Sequence, residues 1–148
     1  MSLKEQIRSD MKTALRAGEK TRLGTIRMLL AAIQLREIEV RSELSDNDVL
    51  QIVGKLVKQR KDSAKQYADV GREDREAQEL SEAELLQAYM PEQLGAAELE
   101  SMLTDVIATL GATSMKDMGK VMAALRDQAQ GRADMGSLSA LVKSRLAS

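Results

Sequence analysis

The stretch Met115 to Leu146, MKDMGKVMAALRDQAQGRADMGSLSALVKSRL, reads as two short helices joined by a Gly-Arg-Ala-Asp turn. Apolar residues recur at Met115, Met118, Val121, Met122 and Leu125, then at Leu138, Leu141, Val142 and Leu146. Both sets follow helical spacing, so each helix carries one apolar stripe. Gly131 is placed to take the left-handed conformation that ends the first helix, and Asp134 to cap the second. Just upstream, Leu99, Met102, Leu103, Val106, Ile107 and Leu110 lie on one side of a helix that Gly111 stops. The three helices together predict a small C-terminal module over residues 93–148, with Pro91 to Ala96 as its linker.

The rest of the chain reads the same way. A first helix over Leu3 to Ala17 carries Leu3, Ile7, Met11, Ala14 and Leu15 and stops at Gly18. A second runs from Glu19 or Lys20 to about Arg41, with Leu23, Ile26, Leu29 or Leu30, Ile33 and Ile38 as its stripe. Arg27 lies beside that stripe, and the expected arrangement is a stem on the core with the head in water. Ser45 opens a third helix, with acids in its first turn where they suit the helix dipole. Its apolar residues continue to Tyr67, and Gly71 ends it. Arg72 to Met90 predicts a fourth, acidic helix with a break or second cap near Ser81, and Pro91 forbids its continuation. The expectation is an all-α fold: an N-terminal helical bundle over 1–92, followed by the three-helix module.

Composition agrees. The 148 residues are 43% hydrophobic and 30% charged, with one proline, two tyrosines and no Phe or Trp. Such a chain is globular and helical, with a core of aliphatic residues and methionine. No apolar run is long enough for a membrane span, and the first residues lack the apolar stretch of a secretory signal. With no cysteine, a cytoplasmic location is the expectation.

The missing residue types bound the chemistry. Without His or Cys there is no conventional zinc site and no Ser-His or Cys-His nucleophile pair. No glycine-rich nucleotide loop is present. No catalytic residue, metal or cofactor is assigned, and the chain is expected to be non-catalytic by itself. Charge is uneven: residues 1–70 carry 14 basic and 10 acidic groups, 71–114 carry 2 and 10, and 115–148 carry 6 and 3. Lys55, Lys58, Lys61 and Lys65 recur three and four apart and form a basic stripe on the third helix. Arg60, Asp62, Arg72, Asp74 and Glu79 suggest ion pairs docking helix four on helix three. The alternative for Asp62, Asp74 and Glu79 is a hard-cation site.

Several strings carry a family resemblance. They are Arg27-Met28-Leu29-Leu30-Ala31-Ala32-Ile33 with Glu37; Lys58-Gln59-Arg60-Lys61-Asp62-Ser63 with Tyr67; and Gly71-Arg72-Glu73-Asp74. Further on come Tyr89-Met90-Pro91-Glu92-Gln93-Leu94, then the MGKVM and GRAD segments. In order and spacing they resemble the GatB/YqeY family over nearly the whole chain. Arg75 and Gly95 depart from that pattern where an apolar residue and a Ser-like cap are usual. The C-terminal module is similar to the tail domain of the B subunit of tRNA-dependent amidotransferases, without the catalytic cradle that precedes it there.

The resemblance implies tRNA, or an aminoacyl-tRNA-handling enzyme, as partner. It implies Lys116, Lys120, Arg126, Arg132, Lys143 and Arg145 as RNA-binding residues through phosphate contact. RNA helices are read by shape and backbone, so the lack of stacking aromatics is compatible with this reading. Two alternatives stand beside it. One is an accessory role in glutamine-dependent amide transfer to aminoacyl-tRNA, the carbon–nitrogen ligase chemistry of the amidotransferases. The other is a protein adaptor using Met-bearing faces.

Overall fold

The computed structural model describes residues 1–147, and among them the regular structure is entirely helical. Contacts divide the chain into two compact units, Met1–Met90 and Pro91–Ser148.

The first unit holds α1 (Leu3–Ala17), α2 (Lys20–Val40), α3 (Asp46–Asp69) and α4 (Glu73–Gln87). Local chemistry sets most of the boundaries. Ser2 with Glu5, and Ser45 with Asp48, form reciprocal capping boxes that satisfy the free N–H groups opening α1 and α3. Gly18, with φ at 71°, closes α1. Arg41 closes α2 at φ 58°, an uncommon conformation for a residue with a Cβ. The core gathers Ile7 and Ala14 from α1, Ile26, Leu29 and Ile33 from α2, Val49, Val53 and Val57 from α3, and Ala83 and Leu86 from α4.

Three expectations are corrected here. Ile38 is 67% exposed and lies outside the core, because a step of five residues from Ile33 turns it about 140° away from the buried side of α2. Leu15 is also exposed. Helix α4 passes through Ser81 without a break, since packing on α3 through Ala83 and Leu86 carries it across that point, and it ends at Gln87 rather than Met90. Arg27 is exposed, as expected for a wetted head.

Two polar ties cross this unit. Tyr89 Oη donates to Asp10 Oδ2 at 2.6 Å. Burial, with the Asp10 carboxylate beside it, raises the phenol above its usual range. Lys4 Nζ lies 2.6 Å from Glu37 Oε1, and the Leu44 amide donates to Glu37 Oε2 at 3.0 Å, so the start of α1 is tied to the end of α2 and the loop after it. The Lys4 hydrogen bond, followed by that of Leu44, holds the Glu37 carboxyl below the usual glutamate range.

The folded protein therefore binds this proton less readily than the unfolded chain. The Glu37 contribution to stability is present above the unfolded value of about 4.3 and is lost as pH falls through the depressed folded value. Glu37→Gln is expected to lower stability at neutral pH and to flatten the acid limb of a stability–pH curve. Parallel wild-type and variant curves down to about pH 3 would contradict the tie.

The second unit holds α5 (Ala96–Leu110), a 3₁₀ turn (Met115–Asp117), α6 (Met118–Ala129) and α7 (Met135–Ala147). Leu103, Val106, Val121, Leu125, Leu138, Val142 and Leu146 form its buried core. Asp134 caps α7 as expected, accepting from the Ser137 amide at 3.0 Å. Gly131 is left-handed at φ 79°, but Gln130 ahead of it also adopts φ 45° and is the residue that closes α6. Met115 sits in the 3₁₀ turn and is exposed, outside the predicted stripe.

Candidate nucleic-acid interface

The six cations predicted for the second unit fall into two groups. Arg132 and Arg145 have partners within the unit. Arg132 Nε donates to the Glu92 carbonyl at 2.9 Å, its Nη2 lies 3.9 Å from Glu98, and its own carbonyl accepts from the Leu94 amide at 2.8 Å. Gln93 Nε2 donates to the Gly131 carbonyl at 3.1 Å. Together these bonds staple the segment entering α5 to the turn that joins α6 and α7. Arg145 Nη2 reaches Glu100 at 2.6 Å and Thr104 Oγ1 at 3.2 Å, tying α7 to α5. A phosphate at either arginine competes with these contacts.

Lys116, Lys120, Arg126 and Lys143 are exposed and enter no ion pair among the described residues. They do not converge on one face. Helical geometry places Lys120 and Arg126 roughly 120° apart around α6, and Lys143 and Arg145 roughly 160° apart around α7. Acids lie among them. Asp117 accepts from the Thr113 and Ser114 amides at 2.9 and 3.2 Å, and these bonds hold its carboxyl below the usual aspartate range. Taken from Pro91 onward, the unit has 6 basic and 7 acidic residues, because the acids of α5 offset the basic end of the chain.

A denser positive surface lies on α3. Lys55, Lys58, Lys61 and Lys65 are all exposed, share one face of the helix, and enter no ion pair among the described residues. Arg60 faces the opposite way. Its Nε lies 3.2 Å from Glu82 and 3.8 Å from Glu79 on α4, and its Nη2 contacts Met28 Sδ. The helix thus separates its cations: the arginine holds α4 in place and the lysines face solvent. Lysine suits this outer face, since its flexible, strongly hydrated ammonium approaches phosphate as a point charge.

The expected ion-pair network forms in part. Arg60 docks α4 through Glu79 and Glu82, while Arg72 pairs locally with Asp74 at 3.2 Å. Asp62 joins neither pair. The hard-cation alternative is set aside, since Asp74 and Glu79 are committed to different arginines and no metal-holding carboxylate group gathers among the described residues. Beside Lys61 lies a shallow groove lined by Leu80, Ala83, Glu84, Gln87 and Ala88. It is open and lacks the convergent polar groups of a small-molecule site. No helix among the described residues is long and apolar enough to cross a membrane.

The family model described as Yqey-like protein matches residues 4–146. A protein named "Altered inheritance of mitochondria protein 41, mitochondrial" from Eremothecium gossypii is 37% identical over 114 residues, covering 72% of this chain and 62% of its own length. Its namesake from Vanderwaltozyma polyspora is 32% identical over 120 residues, covering 76% and 64%. That from Lachancea thermotolerans is 31% identical over 121 residues, covering 77% and 65%. The chain thus spans a little under two thirds of the length of these curated relatives. Their names place them in mitochondria, which overturns the cytoplasmic expectation. That expectation rested on the absence of cysteine, which rules out a disulfide but does not distinguish one compartment from another.

Proposed function

We propose that this chain, which belongs to the YqeY-like protein family, binds the phosphate backbone of structured RNA, with tRNA as the expected ligand. The observation that carries this reading is the row Lys55, Lys58, Lys61 and Lys65, exposed on one face of α3 and in no ion pair among the described residues, while Arg60 is consumed inside the bundle. Residues three and four apart on a helix sit about 5–6 Å from one another, so the row presents successive charges along a backbone. Lys116, Lys120, Arg126 and Lys143 add exposed cations on the second unit. The resemblance of that unit to the amidotransferase tail supports tRNA among structured RNAs.

Contact of this kind gives salt-dependent, sequence-tolerant affinity. Anisotropy of labelled bulk tRNA, titrated with protein at several salt concentrations beside duplex DNA, is the test. Saturable binding that prefers tRNA and weakens with salt is expected. Lys58→Glu/Lys61→Glu/Lys65→Glu is expected to weaken it roughly ten- to hundredfold and to reduce the log–log salt slope by about 2–3. If Lys116→Glu/Lys120→Glu weakens binding and the α3 triple does not, the interface belongs to the second unit. Absence of binding at low salt overturns the reading. Amide transfer is then tested with glutamine, ATP and a separate catalytic chain, and the adaptor role by a protein partner whose retention ignores nuclease.

A further inference from the structure

Helix α2 buries Ile26, Leu29 and Ile33 on one side and leaves its opposite side open to solvent. The open side is not polar. Leu35 is 60% exposed and Ile38 is 67% exposed, and Gly24 and Ala31 are exposed between the same turns. A Cβ added at Gly24 would meet nothing within 4 Å, so its small size answers no contact inside the chain. With Met28, which packs partly on the core and marks the edge of this face, Gly24, Ala31, Leu35 and Ile38 recur at alternating spacings of four and three, which is the spacing of a seam between two helices. Lipid-facing helices carry large apolar and aromatic residues; glycine and alanine in this seam suit a closely approaching helix instead.

The charges at the edges of the seam say which helix. Arg27, Ala31, Leu35 and Glu39 stand four apart and form one ridge along α2. Read backwards, the ridge complements itself: acid meets base and large meets small. Arg27 is exposed and enters no ion pair among the described residues. Glu39 pairs with Arg36 at 3.1 Å, but both side chains are more than half exposed, and such a pair is worth little and exchanges readily.

We propose that α2 is a self-association surface, on which a second copy of this chain packs antiparallel about a two-fold axis between Ala31 and Leu35. An isologous contact requires that residue i meets j and j meets i. In this register Arg27 meets Glu39 of the second copy, and Ala31 meets its Leu35. Each charged contact occurs twice. A single helix face buries less than the roughly 800 Å² per partner of a standard interface, so the dimer forms reversibly and dissociates on dilution.

Sedimentation equilibrium of the full chain over a range of concentrations tests this. The mass is expected to rise from one chain towards two as concentration increases. Leu35→Asp and Ile38→Asp are each expected to hold it at one chain. Both side chains are already exposed, so folding survives, and an unchanged circular dichroism spectrum verifies that. The charge variants test the register. Arg27→Glu and Glu39→Arg are each expected to weaken association at least tenfold, because each sets like charges opposite one another at both ends of the contact. The double variant Arg27→Glu/Glu39→Arg is expected to restore it. A single-chain mass at every concentration overturns the proposal, as does association that survives Leu35→Asp. A double swap that fails to restore association overturns the antiparallel two-fold.

Discussion

Leu125→Ala is expected to cost the second unit about 2–5 kcal/mol, most of what holds it together. Leu125 is fully buried in α6, within the cluster of Leu103, Val106, Val121, Leu138, Val142 and Leu146. Truncation removes buried methyl groups and leaves a cavity that three short helices cannot collapse to fill. A single core this small rarely supplies more than about 3–5 kcal/mol, and this one has no disulfide to supplement it. Urea unfolding read together with amide hydrogen exchange in α5, α6 and α7 measures the effect, with exchange there accelerating far more than in α1–α4. Leu110→Ala is the internal control. Leu110 is 45% exposed at the end of α5, and its truncation is expected to change stability by less than about 1 kcal/mol. Equal effects from the two leucines would refute the placement of this core.

Arg60→Ala is expected to destabilise the first unit by about 1–3 kcal/mol. Arg60 is the cation between α3 and α4, and Glu79 and Glu82 both face it. Its side chain is only 17% exposed, and theirs are 22% and 21% exposed. Without the guanidinium, two half-buried carboxylates one turn apart on α4 lose their shared partner. The guanidinium of Arg60 also touches Met28 Sδ through Nη2, so alanine removes that contact as well as the charge.

Two further variants separate these parts. Arg60→Met keeps most of the stem and is expected to remain destabilised. Arg60→Met/Glu79→Gln/Glu82→Gln is expected to recover much of the loss, since a half-buried pair is often replaceable as a whole though not by halves. Denaturant midpoints for the series, combined as a mutant cycle, give the coupling between Arg60 and its two acids. Coupling indistinguishable from zero would show that the arginine acts by packing alone.

The helices were legible because what makes them is local. Capping boxes pair residues three apart, apolar stripes repeat every three or four, and glycine stops act at a single position. Ser45, Gly18, Gly111 and Asp134 all behave as their types and spacing foretell. The family was legible too, through motifs distributed from Arg27 to Leu146, and the family model covers residues 4–146. Helix α2 was the exception. Its stripe of Leu23, Ile26, Leu29 and Ile33 was read on the side that is buried, but Ile38, five residues beyond Ile33, was placed on the wrong face.

The candidate interface divides the same way. That the chain carries a lysine row on α3 and a basic C-terminal end was already visible in the order of its residues. Which of those charges remain available was decided by partners distant along the chain. Glu79 and Glu82 consume Arg60, the Glu92 carbonyl holds Arg132, and Glu100 holds Arg145. Composition and short-range spacing by themselves determined a helical chain, its caps and its charge blocks, because the interactions responsible act within about one turn. The tertiary structure alone decided which cations are free and that Tyr89 meets Asp10, because those pairings depend on how helices pack once the chain has folded.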